Sequence, residues 1–120
     1  MNSRQGLMAA LEAKLDKKYR VIEPKVLDAL EPKHPVVMVI RTNLVPNGTS
    51  GGLYRSSYAI WVIEPKTIDP EDDLDDCLDD VVTALDEYQF VIWTDAERST
   101  YDEQPAYRIT AQTLDRKVEN

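Results

Sequence analysis

Residues 36–64, VVMVIRTNLVPNGTSGGLYRSSYAIWVIE, decide the fold. Val36-Val37-Met38-Val39-Ile40 is apolar at every position. That suits a strand covered on both faces, because a strand with one wet face alternates. Leu53–Glu64 begins by alternating and then turns apolar throughout. Between the two, Asn47-Gly48 and Gly51-Gly52 provide residues that accept positive φ at little cost. The whole stretch therefore reads as an antiparallel hairpin with a Gly-rich tip. The tip is not a phosphate cradle. A P-loop carries Lys-Ser/Thr and opens a helix, and neither follows Gly52.

On the N-terminal side of this hairpin, SRQGLMAALEAKLDKK (3–18) places Leu7, Met8, Leu11 and Leu15 on one helical stripe. Ser3 is its N-cap, and Lys14, Lys17 and Lys18 suit its negative pole. YRVIE (19–23) reads as a short strand closed by Pro24, followed by a helical turn around Val26, Leu27 and Leu30. On the C-terminal side, Asp69-Pro70 is a cap followed by the residue type favoured at the first helical position. Leu74, Cys77, Leu78, Val81, Val82 and Leu85 then recur at three and four, which predicts a helix to residue 87. Gln89–Thr94 and Ala106–Leu114 read as closing strands, the second with Tyr107, Ile109, Ala111 and Thr113 on one side. Asp95–Pro105 reads as the loop between them. The order α-β-β-β-α-β-β predicts a single α+β domain over 1–120, a mostly antiparallel sheet flanked by two helices.

At 120 residues the chain is long enough to bury a core without staples. Its single cysteine, Cys77, excludes an internal disulfide and a multi-cysteine zinc site. No run of roughly 20 apolar residues is present to span a membrane, and Leu7–Leu11 is too short for a signal sequence. A reducing, aqueous compartment is expected. The net charge of −8 is local in origin: residues 69–87 hold ten of the 22 acids and none of the 14 bases. The rest of the chain is slightly basic, so one element is strongly acidic on an otherwise mixed surface.

That element, DPEDDLDDCLDDVV (69–82), carries eight carboxylates. It is not an EF-hand loop, which needs a Gly at the turn and ligands on alternate residues. Nor is it a di-metal site, which draws histidines from several helices; His34 is the one histidine and sits among breakers. Asp and Glu in the first turn favour the helix dipole. Farther along, the 71/75, 72/76, 75/79 and 76/80 pairs are like charges one turn apart. Together they are unfavourable by about 1–2 kcal/mol at low salt. The acids Asp72, Asp75, Asp76, Asp79 and Asp80 thus form either a solvated face or a purposeful acidic surface. No catalytic set accompanies them. Cys77 lies on the apolar stripe, a structural thiol rather than a nucleophile. Acyl transfer has no base, and glycoside chemistry has no cleft to separate two carboxyl pKa values. Trp61 and Trp93 fall in strands and read as core or sheet-face residues. The chain is not expected to be an enzyme or to hold a cofactor or metal.

In the order of its elements the chain resembles the tail terminator proteins of long, non-contractile-tailed phages, especially those infecting actinobacteria. The likeness covers most of the chain. It rests on the N-terminal amphipathic helix, on PVVMVIRTNLVPNGTSGG (35–52) and on YAIWVIEPKT (58–67) leading into an Asp-rich helix. It is completed by WTDAERSTYDEQPAYRITAQT (93–113). The resemblance implies a virion structural protein assembled in the host cytoplasm. Such a subunit forms a homo-hexameric ring on the head-proximal end of the tail tube, stops tube polymerisation and joins the tail to the head connector. Its partners would be further copies of itself, tail tube protein, head–tail connector or neck proteins, and genomic DNA passing without sequence-specific binding. No membrane is implied. The alternatives are another neck or tail-completion protein, and an acidic nucleic-acid mimic that inhibits a DNA-binding enzyme.

Two excursions from the strands, 45–52 and 95–105, are the expected interfaces, since loops on a rigid scaffold carry function. Asn47, Gly48, Gly51 and Gly52 form the flexible one. Arg98 and Tyr101, residue types enriched at interface hot spots, form the other.

Overall fold

The computed structural model describes residues 3–22, 35–46, 53–63, 70–101 and 104–116. The expected α+β fold is present. Its elements are α1 (Ser3–Lys14), β1 (Arg20–Ile22), β2 (Val36–Pro46), β3 (Leu53–Ile63), α2 (Pro70–Glu87), β4 (Val91–Tyr101) and β5 (Gln104–Arg116). One sheet of five strands runs in the order β1-β2-β3-β5-β4, and only the β1–β2 pair is parallel. The hairpin of β2 and β3 therefore lies inside the sheet, where its apolar runs are covered. The turn at Val26–Leu30 and the tip at Asn47–Gly52 lie outside the described residues.

Both helices pack on one face of the sheet. Leu7 and Leu11 of α1 join Cys77, Val81, Ala84 and Leu85 of α2. Both sets lie over Val37 and Val39 of β2, Tyr58, Ile60 and Val62 of β3, and Ile109 and Ala111 of β5. Each such large side chain, taken from water, contributes about 1.5–3 kcal/mol. A smaller cluster, Val36, Met38, Ile63 and Ala106 with Ile22, Trp61 and Tyr101 against it, occupies part of the second face.

Strand β2 runs on through Val45 and Pro46, expected as part of the 45–52 excursion, because both pair with β3. Strand β5 spans Gln104–Arg116 where 106–114 was expected. Three further boundaries differ from the sequence reading. Helix α1 stops at Lys14 instead of Lys18. Beyond it the Lys18 amide donates to Asp16 Oδ1 at 2.9 Å, and the Tyr19 amide donates to the Asp16 carbonyl at 3.1 Å. An aspartate that holds the amide two residues on turns the chain rather than extending a helix. Residues 89 and 90 form the turn out of α2, so β4 starts at Val91.

The third difference is the largest. Residues 95–101, expected as loop, continue β4 and pair with β5 from Asp95↔Thr110 to Tyr101↔Gln104. The stretch has no Gly or Pro, and its charges suit an edge strand. Pro105, which reads as a breaker, sits near the start of β5. Among the described residues β4 alone flanks it there, because pairing with β3 begins at Ala106. A proline is tolerated at such a place.

Candidate functional site

Helix α2 presents its apolar stripe inward as the spacing predicts. Leu74, Cys77, Val81, Ala84 and Leu85 are buried, while Leu78 and Val82 are half-buried at the edge of the stripe. Five of the acids on its flanks divide into two groups. Three of them are tied to aromatic donors. Tyr19 Oη donates to Asp80 Oδ2 at 2.5 Å, Tyr107 Oη to Asp75 Oδ1 at 2.6 Å, and Trp93 Nε1 to Asp86 Oδ1 at 2.8 Å. These donors come from the α1–β1 turn, β5 and β4, so hydrogen bonds to carboxylates hold α2 to three neighbours.

Asp76 and Asp79 form the second group. Both are exposed, and among the described residues neither carboxylate has a hydrogen bond or ion pair. The Asp79 carbonyl, not its side chain, accepts from Thr83 Oγ1 at 2.8 Å. Asp72 lies in α2, but its side chain is outside the described set. The helix thus has an anchored set of acids and a free set on one surface.

The anchors perturb their phenols. Burial, then the hydrogen bonds to Asp80 and Cys77, push the Tyr19 phenol far above its ordinary value. The Asp75 hydrogen bond, with a smaller contribution from desolvation, raises that of Tyr107, and nearby Arg98 partly offsets the rise. The Arg98 guanidinium lies over the Tyr107 ring, 5.6 Å from its centroid. Arg98 therefore stacks on an aromatic ring that itself reaches the acidic helix.

Arg98 and Tyr101 do not share a surface. The bulge between Trp93 and Asp95 resets the alternation, so Arg98, opposite Tyr107, lies on the helix-covered face of β4. Tyr101 points to the other face, where its ring meets Trp61 edge-on at 5.1 Å. Asn47, Gly48, Gly51 and Gly52 lie outside the described residues. The aromatic donors Tyr19, Trp93 and Tyr107 were missed by sequence reasoning. Their partners lie up to 61 positions away in the chain, and no local spacing reveals such a bond.

No group of three or more His, Cys, Asp and Glu side chains is placed to hold a metal ion among the described residues. No helix among them is long and apolar enough to cross a membrane. A shallow depression of about 340 Å³ lies between the end of α1 and α2, lined by Lys14, Lys18, Asp80, Thr83 and Glu87 among others. Lys14 Nζ approaches Glu87 Oε2 there at 3.8 Å, and mixed charge in an open depression assembles no reactive pair. The chain matches no protein-family model, and no similar sequence is found among curated proteins.

Proposed function

We propose that this chain is a tail terminator, a virion subunit that rings the head-proximal end of a tail tube, stops its growth and offers the surface to which the head connector joins. The observation that carries the reading is spatial. The stretches on which the resemblance rests, 35–52, 58–67 and 93–113, contribute the adjacent strands β2, β3, β5 and β4 of one sheet. The likeness thus follows a packed unit rather than scattered segments. The acidic helix supports the same reading. Carboxylates such as Asp76 and Asp79, unpaired among the described residues, repel a DNA backbone, so DNA slides past rather than sticks.

A nucleic-acid mimic, the reading from a different class, draws on the same two acids. It is the weaker reading because Asp75, Asp80 and Asp86 are engaged by the fold's own aromatic groups. Affinity capture separates the two. The immobilised chain should retain purified tail tube protein and no DNA-binding enzyme. Retention of a nuclease or polymerase with no tube protein would replace the terminator by the inhibitor.

A further inference from the structure

Strand β4 is the last strand of the sheet, and no described element pairs with its outer side. Eleven residues of edge backbone are a template for another strand. The side chains along this edge are sorted by face. Ile92, Asp95 and Glu97 lie on the face away from the helices, where they pair with Gln112, Thr110 and Arg108 of β5, while Ala96 and Arg98 lie on the helix face. Ile92 is 70 % exposed. The Asp95 and Glu97 side chains are exposed too, with no hydrogen bond or ion pair among the described residues.

We propose that the β4 edge is a docking site for an extended strand of another protein, one bearing Lys or Arg beside Asp95 and Glu97 and an apolar residue beside Ile92. Strand addition gains affinity from main-chain hydrogen bonds and specificity from alternate side chains. Charge selects the occupant. Two antiparallel copies of β4, related by a two-fold axis normal to the sheet, set like faces side by side. Arg98 then meets no acid in any register, because the acids at 95 and 97 lie on the other face. Pairing centred on Ala96 or Glu97 sets acid directly against acid.

The opposite edge of the sheet, where no described element pairs with β2 beyond Met38, is a poor partner. Beyond β1, which pairs only with residues 36–38, β2 has a bulge between Arg41 and Asn43 and ends in Pro46. Its Leu44 amide is already taken by Asn43 Oδ1 at 2.9 Å. Strand β4 has a bulge of its own between Trp93 and Asp95, so what sets the β2 edge apart is its terminal proline and its occupied amide, and an edge proline blocks strand pairing. Charges that reject a second copy and attract a basic strand serve both sides of specificity. The site does not depend on the ring reading, since any assembly role leaves this edge the same.

The test is an amide NMR titration of the full chain with the short peptide Lys-Thr-Lys-Thr-Val, whose two Lys and one Val share a face, and with its counterpart carrying Glu in place of Lys. The Lys peptide should shift and protect amides of 95–101, bind more weakly as salt rises, and outcompete the Glu peptide. The doubly charge-reversed variant D95K/E97K, at two exposed positions, should bind the Lys peptide on the order of tenfold more weakly. The milder D95N/E97Q pair should fall between. Shifts confined to other elements, equal binding of both peptides, or no binding of either would overturn the proposal. So would concentration-dependent protection of β4 without peptide, which would assign the edge to a second copy.

Discussion

Single side chains decide how α2 is held. Tyr19 is buried, and its hydroxyl binds Asp80. Replacing Tyr19 by Phe should cost about 1 kcal/mol at neutral pH, below the usual range for a bond to a charged group because Asp80 is itself exposed. The pH dependence has a definite sign. The folded phenol is raised above its ordinary value of 10.0, so both states keep the proton below that pH and the contribution is complete. Above it the unfolded chain releases the proton first and stability falls. Urea titrations at rising pH should therefore show a steeper alkaline loss for the natural chain than for Tyr19→Phe; parallel curves would mean the phenol is not perturbed. Burial also separates two neighbours on the apolar stripe. Leu85, 1 % exposed, should cost about 2–5 kcal/mol on truncation to Ala. Half-buried Leu78 should cost clearly less by the same titration, although spacing alone ranks the two as equals.

At the scale of elements, periodicity made most of the fold legible. The apolar runs of β2 and β3 and the three-four repeat of α2 each depend on residues close in sequence; β3 and α2 follow them within a position or two, while β2 runs six positions past its apolar run to Pro46. The 95–101 strand was not legible. Its charged residues carry no local β signal, and its partner strand supplies the order through pairing from Asp95↔Thr110 onward. Expectations for the site fared in the same way. The acids of α2 were visible as a cluster, but their division into anchored and free depends on Tyr19, Trp93 and Tyr107 arriving from elsewhere. The free acids yield a prediction about the helix itself. Asp79 is one turn from both Asp75 and Thr83 and has no side-chain partner among the described residues, so Asp79→Lys replaces a like-charge pair by an opposite one. Each such pair is worth roughly 0.2–0.5 kcal/mol. Thermal unfolding of Asp79→Lys should show a gain of that order at low salt that fades as salt screens it. A loss of stability would mean that the Asp79 carboxylate has a structural role.

For the molecule as a whole, the two faces of β4 make separable contributions. Arg98 stacks on Tyr107 beneath the acidic helix, whereas Tyr101 packs on Trp61 across the sheet. Replacing both with Ala should leave the circular dichroism of a folded chain yet abolish tail completion in a complementation assay. Normal infectious particles would remove these residues from the assembly contact. The central claim, that the chain closes a ring on a growing tube, is tested most directly by adding the purified protein to polymerising tail tube protein and imaging the products by negative-stain electron microscopy. The predicted result is closed rings seated on one end of tubes that stop lengthening. Tubes that elongate unchanged, beside a protein that remains monomeric by light scattering at every concentration, would contradict it.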